Sequence, residues 1–204
     1  MSRHDGGSDE GPSPRILGVV LAGGQSQRMG SDKASLTHPI DARLSWLAHA
    51  IEQVSRVTKA TIVSGESRNS IGVPFVSDHR SFEGSGPMGG VITTLLWAKK
   101  RDYAGCLYLP VDMPLVDHFL LESIIVNAKR IPKTCVVARS TGLDPLLAYY
   151  PVTLVDALEI SWNRDHRSLR RWLEDQFLVS VLVSREKTSN VNTPKDLHKL
   201  RSVR

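Results

Sequence analysis

The sequence predicts an α/β fold, a single three-layer α/β/α domain around a mostly parallel sheet. Two observations predict it. Short apolar runs rich in branched residues alternate with longer amphipathic stretches along 204 residues, the pattern of strands joined by crossover helices. The first of those runs, residues 16–22 (ILGVVLA), is apolar at every position except its one glycine, as expected of a strand covered on both faces.

The elements follow in order. Residues 1–14 are rich in Gly, Ser, Asp and Glu and read as a disordered leader, leaving 15–204 as the folded domain. After the strand at 16–22, Leu44, Leu47, Ile51 and Val54 recur at helical spacing. Strands are expected at 60–63 and 73–76, the second with Pro74 near its start or on an edge. A helix should open near Gly86-Pro87 and run through 91–98. A strand at 106–111, a helix at 119–128 and a strand at 135–138 come next. Helices at 152–160, 167–174 and 194–202 and a strand at 177–183 complete the prediction.

Composition narrows the function. Hydrophobic residues make up 41% and charged residues 23%, the balance of a soluble globular chain. No apolar run approaches the roughly 20 residues that span a bilayer. Cys106 and Cys135 are the only cysteines; two thiols in strand-like runs suggest neither a disulfide framework nor a zinc site, and fit a reducing cytoplasm. The net charge of +5 favours anionic partners. The basic stretches at 164–171 and 195–204 lack the interleaved aromatics of a nucleic-acid platform and read as solvated helix faces or as attraction for a polyphosphate.

In sheets of this kind ligands bind at the carboxyl ends of the strands, which directs attention to the segments after Ala22, Val76, Val111 and Ala138. After the first strand the chain reads LAGGQSQRMGSDK, residues 21–33. Gly23, Gly24 and Gly30 let backbone approach a ligand, Arg28 can grip a phosphate with two donors, and Lys33 supplies a mobile point charge. The spacing matches neither G-x-G-x-x-G nor the P-loop. Taken alone, the segment is either a phosphate cradle or a Gly-rich turn with two solvated cations. Asp112, just past a buried strand, could bind Mg²⁺ together with phosphates or cap the next helix. Asp78 follows the third strand and could equally be a turn residue. Asp144, in Asp-Pro-Leu, reads as a turn or a ligand contact. Asn190 and Asn192 alternate along an extended stretch and can face one side.

The segment LAGGQSQRMGSDK resembles the signature loop of the molybdenum cofactor guanylyltransferases, LAGGxSxRMGxDK, at every fixed position. Three further segments agree in order: Gly86-Pro-Met-Gly-Gly90 with the family's GPLxG turn, Leu109-Pro-Val-Asp-Met-Pro114 with its metal-binding CDxP stretch, and Asn190-Val-Asn-Thr-Pro194 with its NxNTP close. The resemblance covers residues 16–200. It implies a Rossmann-like fold and transfer of GMP from GTP to molybdenum-molybdopterin cofactor, releasing pyrophosphate. It implies Arg28, Lys33 and Asp112 as catalytic residues, with Asp112 holding Mg²⁺. Leu21, Ala22, Gly23, Gly24, Lys33, Asp78 and Asp112 would bind the nucleotide, and Asp144, Asn190 and Asn192 the acceptor. Molybdoenzymes or their chaperones would be partners, and neither nucleic acid nor a membrane is expected.

This sequence departs from the family pattern in three places. Asp144 stands where the family usually has His, residues 37–43 (THPIDAR) lack the usual Gly-Lys/Arg-Pro-Leu turn, and Ser64 occupies a position that is often Asn. Neighbouring alternatives are a molybdopterin cytidylyltransferase, a cobinamide-phosphate guanylyltransferase and a noncatalytic chaperone. Cytidylyltransferases typically carry LAAG, so the second glycine that Gly23 adds in the Gly23-Gly24 pair favours the larger guanine.

Overall fold

A computed structural model describes residues 13–23, 33–39, 41–65, 72–79, 82, 86–191 and 196. Residues 1–12 of the leader expected at 1–14 and most of the expected helix at 194–202 lie outside them.

The described residues form β1 (Ile16–Leu21), α1 (Trp46–Ser55), β2 (Ala60–Ser64), β3 (Phe75–Val76), α2 (Pro87–Lys99), β4 (Gly105–Pro110) and α3 (His118–Arg130). These are followed by β5 (Cys135–Arg139), β6 (Leu143–Pro151), α4 (Val155–Asn163), α5 (Leu169–Glu174) and β7 (Leu178–Leu182). The strands make one sheet in the order β3-β2-β1-β4-β6-β5-β7. All neighbours are parallel except β6, which runs antiparallel to both β4 and β5. The mostly parallel sheet predicted from sequence is therefore observed, with one reversed strand inside it.

Both faces of the sheet are covered, as parallel sheets require. Alternate residues of β1 enter opposite cores: Ile16 and Val20 join Leu47, Val54, Leu121 and Ile125 on the α1/α3 face, while Leu17 and Val19 join Met88, Ile92, Leu95 and Leu158 on the α2/α4 face. α2 is buried around nearly all its circumference, from Met88 to Leu95 and again at Ala98, because α4 covers the side that turns away from the sheet. The expected stripe on α1 is half right. Leu47 and Val54 are buried, but the helix starts at Trp46 and also buries Ala50 and Gln53.

Local signals fix the helix starts. The Ser45 hydroxyl accepts the Ala48 N–H at 3.1 Å and opens α1, and Asp117 accepts the Leu120 N–H at 3.0 Å and opens α3. Pro87 at the first turn of α2 gives up an N–H that no helical carbonyl would have used. Asp112 therefore does not cap the helix that follows it; Asp117 does.

β6 is the element the sequence did not announce. Asp144-Pro145 reads as a turn, yet both residues are in the strand. Register explains this: Val137 pairs with Ala148, but Ala138 pairs with Asp144. Residues 145–147 thus bulge out of the β5 ladder, and the missing Pro145 N–H costs no bond there.

Candidate active site

Backbone bonds extend the parallel ladder past the strand ends and bring the loops into one row. The Ala22 N–H donates to Ser64 O at 2.9 Å, the Gly65 N–H to Val76 O at 3.1 Å, and the Val111 N–H to Leu21 O at 3.0 Å. Gly65 has φ +141°, and a Cβ there would lie 3.0 Å from Gly23 N, so only glycine leaves room for the start of the 21–33 loop.

Four residues converge above this row. A Cβ added to Gly90, in the first turn of α2, would sit 3.2 Å from Ser64 Oγ, 3.4 Å from Asp78 Oδ1 and 3.9 Å from Leu21 Cδ2. The absence of a side chain at Gly90 thus leaves the Asp78 carboxylate and the Ser64 hydroxyl side by side at the carboxyl edge. The segment after Asp78 is fastened to the same helix, since the His79 N–H donates to Thr93 Oγ1 at 3.1 Å. Leu21, Ala22, Gly23 and Asp78 are therefore gathered at one place on the carboxyl edge of the sheet. Gly24 and Arg28 lie outside the described residues. Lys33 opens the short 3₁₀ turn Lys33–Ser35.

Asp112 occupies the turn after β4, the next strand along. Its carbonyl accepts the Val191 N–H at 2.9 Å, and Val191 is itself buried in the α1/α3 core. That bond carries exposed Asn190 to the Asp112 turn from the far end of the chain; Asn192 lies outside the described residues. A hard oxygen donor at an open sheet edge has the chemistry to share Mg²⁺ with phosphates.

Sequence reasoning missed the clamp beneath this turn. His38, 3% exposed, accepts the Asp41 N–H on Nδ1 at 3.1 Å, so Nε2 carries the proton and donates to Pro114 O at 2.8 Å. Its ring stacks on His49 with centroids 3.8 Å apart. Burial lowers the pKa of both rings, and for His49 the neighbouring His38 adds to the effect. The divergent 37–43 segment thus ties the end of the signature loop to the 112–116 turn. No local pattern signals this, because every partner is distant in sequence or belongs to the backbone.

Because β6 is antiparallel, its amino end meets the carboxyl ends of β4 and β5. Asp144 therefore lies at the same edge, across β4 from the Leu21 cluster. It is a strand residue and not a turn. Burial raises its pKa, while the Ser140 hydroxyl (3.2 Å), the Arg170 charge and Thr188 pull the other way. Arg170, which sequence left on a solvated helix face, lies against Gly142, with Nη1 3.0 Å from where a Cβ would be. The edge thus has two halves: Leu21, Ser64, Asp78 and Gly90 on one side, and Asp144, Arg170 and Ser140 on the other, with Asp112 between them in strand order.

The MobA-like NTP transferase domain family matches residues 18–181. A probable molybdenum cofactor guanylyltransferase of Rhodopirellula baltica is 35% identical, with 90% of each chain covered. A molybdenum cofactor guanylyltransferase of Rhodobacter capsulatus is 30% identical, with 90% of this chain and 93% of that one covered. The crystal structure of molybdopterin-guanine dinucleotide biosynthesis protein A from Archaeoglobus fulgidus superposes with a TM-score of 0.71 over 92% of this chain and 97% of that one, at 22% identity. These matches span both halves of the edge and the strand between them, and the chain belongs to the MobA-like NTP transferase family.

Proposed function

We propose that residues 15–204 form a guanylyltransferase that moves GMP from GTP to molybdenum-molybdopterin cofactor. The observation that carries this reading is the convergence of Leu21, Ser64, Asp78 and the bare Gly90 beside the start of the signature loop. In this reading guanosine lies over the first turn of α2, where the Asp78 carboxylate accepts hydrogen bonds from it. The triphosphate runs along the 23–33 loop towards Asp112.

The acceptor phosphate enters from the Asp144 and Arg170 half, and Asn190, at the Asp112 turn, and Asn192 serve as its further contacts. Its oxygen attacks the α-phosphorus of GTP, the bond to the β-phosphate oxygen breaks, and pyrophosphate leaves. The two reactants are both anions, so positioning and charge neutralisation carry most of the catalysis. Arg28 and Lys33 supply cations along the triphosphate. Asp112 would hold Mg²⁺, and the ion would supply charge neutralisation on the phosphates. The clamp from His38 to Pro114 keeps the Lys33 and Asp112 segments in register. Cys106 and Cys135 are buried, which pushes both thiols up to about 12; inert thiols suit the reducing cytoplasm where we place the reaction, with molybdoenzymes or their chaperones as recipients.

Calorimetry with GTP and CTP on one preparation tests the base assignment. GTP should bind at least about tenfold tighter, the equivalent of ~1.4 kcal/mol. Equal or tighter CTP binding would overturn the guanylyl reading and leave the fold untouched.

A further inference from the structure

We propose that β7 is a self-pairing edge through which two copies of this chain join into one continuous sheet. Among the described residues β7 ends the strand order and pairs with β5 alone. Along a strand, backbone polar groups alternate sides. The Val183 N–H donates to Arg139 O at 3.0 Å, so Val179, Val181 and Val183 address β5. Leu178, Ser180 and Leu182 turn their N–H and C=O groups outward.

The sequence over this edge reads the same in both directions. Residues 178–182 are Leu-Val-Ser-Val-Leu, a palindrome centred on Ser180. A second copy laid antiparallel about a two-fold axis at Ser180 places Ser180 opposite Ser180 and Leu178 opposite Leu182. Those are the residues whose backbone groups point outward, so each opposed pair exchanges two hydrogen bonds. A centre at Val179 or Val181 would also oppose outward-pointing residues, but it would set Leu against Ser and lose the palindromic match of side chains.

The same axis accounts for the two most exposed large apolar side chains among the described residues. Leu182 is 79% exposed and Phe177 86% exposed. About Ser180, Leu182 meets Leu178 of the second copy, and Phe177 meets Val183. Both pairs are apolar and lie on matching faces, because a two-fold perpendicular to the sheet preserves its faces. Just beyond them, the axis brings exposed Asp175 towards exposed Arg185 of the second copy, which gives opposite charges at both ends of the ribbon. The edge holds no proline and no lysine, the residues that usually guard an edge against pairing. A surface repeated on both partners is the form that a two-fold dimer interface takes.

The test uses the full chain in analytical ultracentrifugation at tens of micromolar. The species expected has twice the mass of the chain; a monomer at that concentration overturns the proposal. Leu182→Glu places a charge in both outer pairs and, at an exposed position, should leave the thermal melt of the fold intact. It should shift the chain to monomer, and a variant that stays dimeric places the interface elsewhere. Ser180→Cys should form an intermolecular disulfide under mild oxidation, because directly opposed residues of such a pair lie about 5.5 Å apart at Cα, within disulfide reach. Cys106 and Cys135 are buried and do not compete. A dimer in which Ser180→Cys does not cross-link also overturns the proposal. GTP binding is a separate readout, so failure here leaves the guanylyl reading standing.

Discussion

At the scale of single residues, Gly90 and Lys33 separate space from charge. A Cβ at Gly90 lands 3.2 Å from Ser64 Oγ and 3.4 Å from Asp78 Oδ1, tighter than most contacts but against side chains that can yield. Gly90→Val adds branched bulk where a ligand should lie. It should raise the Kd for GTP at least about tenfold, worth ~1.4 kcal/mol, and calorimetry reads this directly. Lys33→Ala should lower kcat by roughly 10²-fold, on the scale of losing a single oxyanion donor, while GTP Kd changes less. Equal loss in both would make Lys33 a ground-state binder. Asp112→Ala should abolish metal-dependent pyrophosphate release with the circular dichroism spectrum unchanged, since the residue sits in a turn at the sheet edge.

The histidine pair belongs to the same scale. Both rings have pKa values below the ordinary 6.5 because of burial. The folded state therefore binds fewer protons than the unfolded chain, and the stabilisation is complete above about pH 6.5 and is lost as pH falls through the lowered values. Protonated His38 would set Nδ1–H against the Asp41 N–H and lose that bond. The melting temperature should fall more steeply between pH 7 and 5 in the native protein than in His49→Phe, which keeps a stacking ring and removes one titration. Parallel curves for the two proteins would show that His49 contributes nothing to the pH dependence.

At the scale of elements, periodicity and capping decide what sequence can show. Asp117 both caps α3 and pairs with Lys187. Asp117→Ala should cost about 1 kcal/mol, or roughly 2–4 °C in Tm for a chain of this size, which calorimetry can resolve. The strands at 16–22, 60–63, 106–111 and 135–138 were legible because buried parallel strands are continuous apolar runs. β6 was not, because Asp144-Pro145 carries the strongest local turn signal in the region and only the register shift against β5 removes its penalty. α2 was legible by Gly86-Pro87, although its all-round burial blurs the usual stripe.

At the scale of the whole molecule, the sheet turns a list of motifs into two halves of one edge. The signature loop, Asp78, Asp112 and Asn190 were legible as types in a pattern. What sequence could not supply was their neighbours: Ser64 beside Asp78, Arg170 against Gly142, and His38 under Pro114 are pairings across 14 to 76 residues that only the sheet order creates. Asp144 shows the limit most clearly. Its departure from the usual His was visible, but its place in an antiparallel strand facing Arg170 was not.

The bond from Val191 to Asp112 has a consequence for the order in which the protein becomes competent. A nascent chain emerging from the ribosome contains β1, β2, β3 and α2 long before residue 191 is made, so the surface around Gly90 can form while the Asp112 turn still lacks its last tether. Pairings this remote along the chain also slow folding in general. On dilution from denaturant, affinity for GTP should therefore recover ahead of turnover, and stopped-flow binding set against a pyrophosphate assay would time the interval. The protein should be able to hold its nucleotide before it can use it.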